Sequence, residues 1–144
     1  MLISVLHTSG SGLRAEARAV EASAANIANQ RTSSRVVDAQ SEAARVSGGN
    51  AGSSYDGYKP VTVDRTALAG GGVRAEFRET SDFYSVAFDP SDVNANAEGV
   101  VALPKVDLGQ EFVTMTVAQN AYEANAAAFR TADEMLGELL DRKV

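Results

Sequence analysis

The chain contains no cysteine and no tryptophan, one histidine and three prolines, and no apolar run approaching the roughly 18 residues of a membrane span. Without cysteine there is neither a disulfide framework nor a thiolate metal site. The single histidine, His7, stands at the start of a helical segment, so a Ser–His–Asp arrangement would rest on a chain end. Ser9-Gly10-Ser11-Gly12 does not spell a nucleophile elbow and follows no strand. Gly70-Gly71-Gly72 precedes a strand and lacks the Lys-Ser/Thr pair of a phosphate loop, so it reads as a turn. Asp89 with Asp92, and Glu76 with Glu79, are spaced like solvated surface carboxylates.

The best metal candidate, Asp92-Val93-Asn94-Ala95-Asn96-Ala97-Glu98, has the oxygen spacing of a calcium loop but fails twice. Ala97 stands where the sharp turn needs glycine, and Leu103 stands where a bidentate glutamate belongs. It reads as a polar turn between strands. We therefore expect no catalytic residue, no cofactor, no metal and no small-molecule substrate.

Positive charge is also short. Thirteen Lys and Arg against nineteen Asp and Glu give a net charge of −6, which argues against nucleic acid and a polybasic membrane contact. The stretch Met1 to Thr8 lacks the basic and apolar regions of a secretory signal, so none is expected to be cleaved.

What the chain has is alanine, concentrated in its two ends. Hydrophobic residues make up 44% but aromatics only 6%, so an isolated monomer should bury little area and be marginal. From Ile3, apolar or small residues recur at heptad spacing: Ile3, Gly10, Ala17 and Ala24, interleaved with Leu6, Leu13, Val20 and Ile27. Toward the other end Leu108, Met115, Tyr122, Phe129 and Leu136 fall every seventh residue, with Ala118, Ala132 and Leu139 on companion positions. Such seams belong to long helices that bury one stripe against another helix.

The spacing predicts a helix over 2–30, with Gly10 and Gly12 marking either a frayed first turn or a close helix contact or bend. A second helix is expected from about Asp107 to about Asp141, pairing antiparallel so that Ile3 and Leu6 lie near Leu136 and Leu139. Ala15, Ala19 and Ala22, and Ala121, Ala124 and Ala128, form second smooth strips suited to packing among several copies. Asn125, within the seam, could fix register. Between the helices, Tyr58–Val63, Val73–Phe77, Phe83–Phe88 and Gly99–Leu103 read as strands of one small antiparallel sheet.

The expected fold is thus α+β: long terminal helices forming an antiparallel coiled-coil hairpin, with a small antiparallel β-rich insert. Its expected parts are an N-terminal helix (1–32), a flexible Ser/Gly-rich connection (33–57) that includes Gly48–Ser54, a β-rich module (58–106) and a C-terminal helix (107–144). A short element over Arg35–Val46 is poorly determined.

Asn26-Ile27-Ala28-Asn29-Gln30-Arg31-Thr32 resembles the signature Asn-(Leu/Ile)-Ala-Asn-x-x-Thr of the bacterial flagellar rod and hook protein family. Ser9-Gly10-Ser11-Gly12-Leu13, ahead of it, also looks like that family. So do Val106-Asp107-Leu108-Gly109-Gln110-Glu111-Phe112-Val113-Thr114-Met115 and Ala121-Tyr122-Glu123-Ala124-Asn125. Phe88-Asp89-Pro90-Ser91-Asp92, the stretch from Asn94 to Val100, and Leu103-Pro104-Lys105-Val106 look most like its short proximal-rod members.

The resemblance implies a structural subunit of the flagellar basal-body rod, not an enzyme, polymerising with itself and other rod subunits in a helical assembly. Its terminal helices would form the inner coiled-coil layer of a hollow shaft, with the β module outside. The shaft would transmit torque and house the export channel. Subunits of this kind pass unfolded through the flagellar type III export apparatus without a cleavable signal peptide.

On this reading Leu6, Leu13, Val20, Ile27, Leu108, Met115, Tyr122, Phe129 and Leu136 carry helix packing. The motif residues Asn26, Ala28, Asn29 and Thr32 belong to the end of the first helix, where Asn26, Asn29 and Thr32 would make side-chain bonds. The alternatives are another rod subunit of the same family, or a soluble β-module binding or adaptor protein on a helical-hairpin stalk.

Overall fold

The computed structural model describes residues 2–36 and 55–142. In chain order they form α1 (Leu2–Asn29), β1 (Val61–Ala67), β2 (Val73–Glu79), β3 (Tyr84–Phe88), β4 (Val100–Pro104) and α2 (Leu108–Asp141). Two long helices thus bracket a small β region. The stretch Gly48–Ser54, and all but the first two residues of 35–46, lie outside the described residues. No helix among the described residues is long and apolar enough to cross a membrane.

The chain divides into two compact units. One holds Met1–Asn26, Val61–Arg78 and Asp107–Val144; the other holds Ile27–Pro60 and Glu79–Val106. The β1–β2 hairpin therefore groups with the helices rather than with β3 and β4.

In the first unit α1 and α2 run antiparallel, fixed by three approaches along their length. A Cβ at Gly10 would lie 3.7 Å from the Phe129 ring, and one at Gly12 only 2.8 Å from the Asn125 side chain. Asn26 Nδ2 donates to Glu111 Oε1 at 2.7 Å. Gly12 thus marks a close helix contact, where an added Cβ would press on the end of the Asn125 side chain. Asp107 starts α2 as its N-cap, its carboxylate accepting the Gln110 N–H at 3.2 Å.

The β1–β2 hairpin lies on a second face of α1. Ser11 Oγ accepts the Val73 N–H at 3.0 Å and donates to the Thr8 carbonyl at 2.8 Å. Arg18 Nη1 donates to the Ala75 carbonyl, and Glu16 pairs with Arg65 at 2.7 Å. Leu68 N–H bonds Gly72 carbonyl at 3.1 Å to close the turn, where Gly71 and Gly72 take φ of +87° and +88°. Ala15, Ala19 and Ala22 are buried on α1. The strip expected to stay smooth for other copies is occupied within the chain.

In the second unit β3 and β4 pair antiparallel, with Tyr84 opposite Pro104 and Phe88 opposite Val100. Ser34 exchanges both backbone hydrogen bonds with Ala102, at 2.9 and 3.0 Å, along the other edge of β4. Val101 and Ala102 are buried there. Tyr55 stacks on Tyr84 with centroids 4.9 Å apart and tilts against Phe83 at 5.2 Å. The loop after β3 uses its side-chain oxygens on backbone: Asp92 Oδ1 accepts from Asn94 N–H at 2.8 Å, and Asn96 Oδ1 from Val100 N–H at 2.8 Å.

The four strands do not make one sheet; they form two two-stranded sheets, β1–β2 and β3–β4. The reason lies at the edges. On β1 the Asn26 side chain accepts the Val61 N–H at 2.9 Å and donates to the Val61 carbonyl at 2.8 Å, standing where another strand would bond. On β4 the free edge is taken by Ser34.

Candidate assembly surface

The core is built from small residues. Among the described residues, the buried hydrophobic set is Ala15, Ala19, Ala22, Ala75, Val101, Ala102, Ala118 and Ala132, beside Ser9, Ser11, Ser23, Ser34 and Asn26. Large side chains lie outside it.

The larger residues of the expected seam are only partly covered within the chain. Leu6, Leu13, Val20, Ile27, Leu108, Met115 and Leu136 are half-buried, while Tyr122 and Phe129 are 44% and 37% exposed. The line that faces α1 is Glu111, Ala118, Asn125 and Ala132, one heptad apart; Ala118 and Ala132 are buried and the other two half-buried. At the open end of the hairpin Ile3 is 76% and Leu139 56% exposed; Leu2, not Ile3, lines a groove with Met135 and Leu139.

The motif residues separate into two roles. Asn29 and Thr32 close α1: the Thr32 N–H bonds the Asn29 carbonyl at 2.9 Å, and Thr32 Oγ1 donates to Asn29 Oδ1 at 3.3 Å. Ala28 is exposed. Asn26 lies a turn inside the helix, only 2% exposed, and ties α1 to both β1 and α2. Its amide uses both N–H donors and its oxygen in these bonds. Glu111, its partner, was not singled out by the sequence; a carboxylate in the first turn of α2 is favoured there by the helix dipole. Asn125 bonds its own helix, donating to the Ala121 carbonyl at 2.9 Å.

A second stripe on α2 is apolar and exposed. Val113, Val117, Ala124, Ala128, Met135 and Leu139 follow one another at steps of four and seven residues. At 3.6 residues per turn they share a face about 80° wide, some 80° around the helix from the Ala118–Ala132 line. Val117 is 59% exposed and Met135 49%. Phe112 and Leu140 are also exposed, on the opposite side of α2 from this stripe. Contiguous apolar exposure of this kind marks an interaction face, and nothing in the arrangement resembles a catalytic site.

The profile described as "Flagellar basal body rod FlgEFG protein C-terminal" matches residues 97–142. The chain is 30% identical over 141 residues to the flagellar basal-body rod protein FlgC of Bacillus subtilis, covering 94% of each. It is 28% identical over 138 residues to FlgC of Escherichia coli O6:H1, covering 94% of this chain and 92% of that one. With FlgC of Aquifex aeolicus it shares 38% identity over 60 residues, 42% of this chain and 44% of the relative.

Proposed function

The chain belongs to the FlgC family of flagellar basal-body rod proteins, and on that premise we propose that it builds the proximal rod by packing its terminal helices against those of neighbouring subunits. The family is structural rather than enzymatic, and its members assemble with other rod subunits in the basal body. The observation that supports the mode of assembly is the inverted distribution of side-chain size. Alanine and serine fill the core, while Phe112, Val113, Val117, Met135, Leu139 and Leu140 lie on the outside of α2. Burying such a side chain is worth about 1.5–3 kcal/mol when complete. A subunit built this way gains on joining the polymer what its own core does not supply.

In this reading α1 and α2 act as a coiled-coil hairpin. Leu6, Leu13, Val20, Ile27, Leu108, Met115, Tyr122, Phe129 and Leu136 are only partly covered within the chain and complete their burial against adjacent helices. The small core also suits passage through the flagellar type III export apparatus as an unfolded chain, because few large contacts must be undone first. The shaft so built transmits torque and encloses the export channel.

The test is deletion of the encoding gene, with motility and purified basal bodies as readouts. Non-motile cells with an incomplete rod, and the protein present in wild-type basal bodies, are expected. Normal swimming with complete rods would overturn the proposal.

A further inference from the structure

The first unit carries a basic cleft in an acidic chain. Arg14, Arg18 and Arg74 surround an open cavity of about 430 Å³ between α1 and β2, floored by Ala15, Ala75 and Leu68. Arg18 is held in place by its bond to the Ala75 carbonyl and by the Phe77 ring, 5.6 Å from the guanidinium carbon. Arg74 meets Glu76 at 3.6 Å, a pair exposed to solvent on both sides. Arg14 makes no ion pair among the described residues.

The complementary surface is on the same chain. The last third of α2 carries Asp133, Glu134, Glu138 and Asp141, all exposed, and none forms an ion pair among the described residues. The last turn holds Glu138 and Asp141 and no basic residue, so these two carboxylates stand at the negative end of the helix dipole, where they are disfavoured, with Arg142 following as the C-cap. Glu138 and Asp141 border a groove with Leu2, Met135, Leu139 and the C-cap residue Arg142. The two surfaces cannot meet within one molecule. Leu2 lies beside the acidic end, and Arg14 is twelve residues further along α1, about 18 Å at 1.5 Å per residue.

We propose that the Arg14–Arg18–Arg74 cleft receives the acidic end of α2, Glu138 and Asp141, from a second copy of this chain. Guanidinium groups bind carboxylates through paired N–H donors, and Leu68 offers the cleft an apolar floor for Leu139. The contact joins different surfaces of the two copies, so it is heterologous and repeats along a screw axis rather than closing into a dimer. It rests on the rod-subunit reading and adds to it the partner and the residues of one axial contact.

The test is a charge exchange in a deletion strain complemented with full-length variants, reading the amount of protein in purified basal bodies. Arg14→Glu alone and Glu138→Arg alone should each lower incorporation tenfold or more, and the two together should restore it to within twofold of wild type. Both sites are exposed and without ion pairs, so the variants should keep the wild-type thermal melt; Arg14→Gln and Glu138→Gln, milder changes, should show a smaller loss in the same direction. Undiminished incorporation of the single variants would overturn the proposal. Loss without rescue in the combination would also overturn it, showing that the acidic partner is not a second copy. Absence of the wild-type protein from basal bodies would instead sink the rod-subunit reading itself.

Discussion

Asn26 and Glu111, 85 positions apart in sequence, are joined by a 2.7 Å hydrogen bond from the amide of one to the carboxylate of the other. The same amide holds the Val61 N–H and carbonyl at 2.9 and 2.8 Å, so one side chain ties both helices to the first hairpin. Replacing it with alanine leaves the Glu111 carboxylate and the edge of β1 without these partners. Asn26→Ala should therefore destabilise the protein by about 2–4 kcal/mol, read from chemical denaturation. Glu111→Gln, which keeps an acceptor, should cost less than half as much.

Two glycines in one helix should respond oppositely to alanine. At Gly10 an added Cβ meets only the Phe129 ring at 3.7 Å, an ordinary contact, so Gly10→Ala should stabilise by up to about 1 kcal/mol. At Gly12 the same Cβ would stand 2.8 Å from the Asn125 side chain. Gly12→Ala should forfeit that gain and destabilise, and adding Asn125→Ala should recover stability. Thermal melts of the single and double variants would show the coupling.

Gly72 is constrained twice. Its φ of +88° disfavours other residues, and an added Cβ would lie 2.5 Å from Ser11 Oγ, the atom that accepts the Val73 N–H. Gly72→Ala should cost about 2 kcal/mol or more. Gly70→Ala, with open space around it, should change stability by less than about 0.5 kcal/mol.

Asp89 has its carboxyl held below the usual carboxylate range, first by the Ser91 hydroxyl donating at 2.6 Å and then by the Ser91 N–H at 3.1 Å. These bonds favour the charged form in the folded state. Their contribution is present above the unfolded carboxylate pKa and is lost as pH falls through the lower folded value. Ser91→Ala should raise the Asp89 pKa toward normal, as an NMR titration of its side-chain carbon would show.

The helices and the strands were legible because each leaves a period in the sequence. Heptads from Ile3 and from Leu108 marked α1 and α2, and alternation marked β1 to β4 to within a few residues. What faces what was less legible. Heptad reading placed Tyr122 and Phe129 in the seam with Ala118 and Ala132 on companion positions; it is the two alanines, whose small size permits the approach, that are buried. The first hairpin's place on α1 left no periodic trace; it depends on single polar atoms at Ser11, Arg18 and Asn26. Asn26 itself was flagged by its motif, yet its bonds to Val61 and Glu111 depend on tertiary placement that spacing does not encode.

The central claim is that the exposed apolar stripe of α2 exists for assembly rather than for the monomer's own stability. Val117→Asp, at a site 59% exposed, measures this directly when thermal melting and incorporation into basal bodies are read on the same variant. The account predicts a melt within a few degrees of wild type together with at least a tenfold loss of incorporation and of swimming. Normal incorporation with a charged residue in that stripe would contradict it.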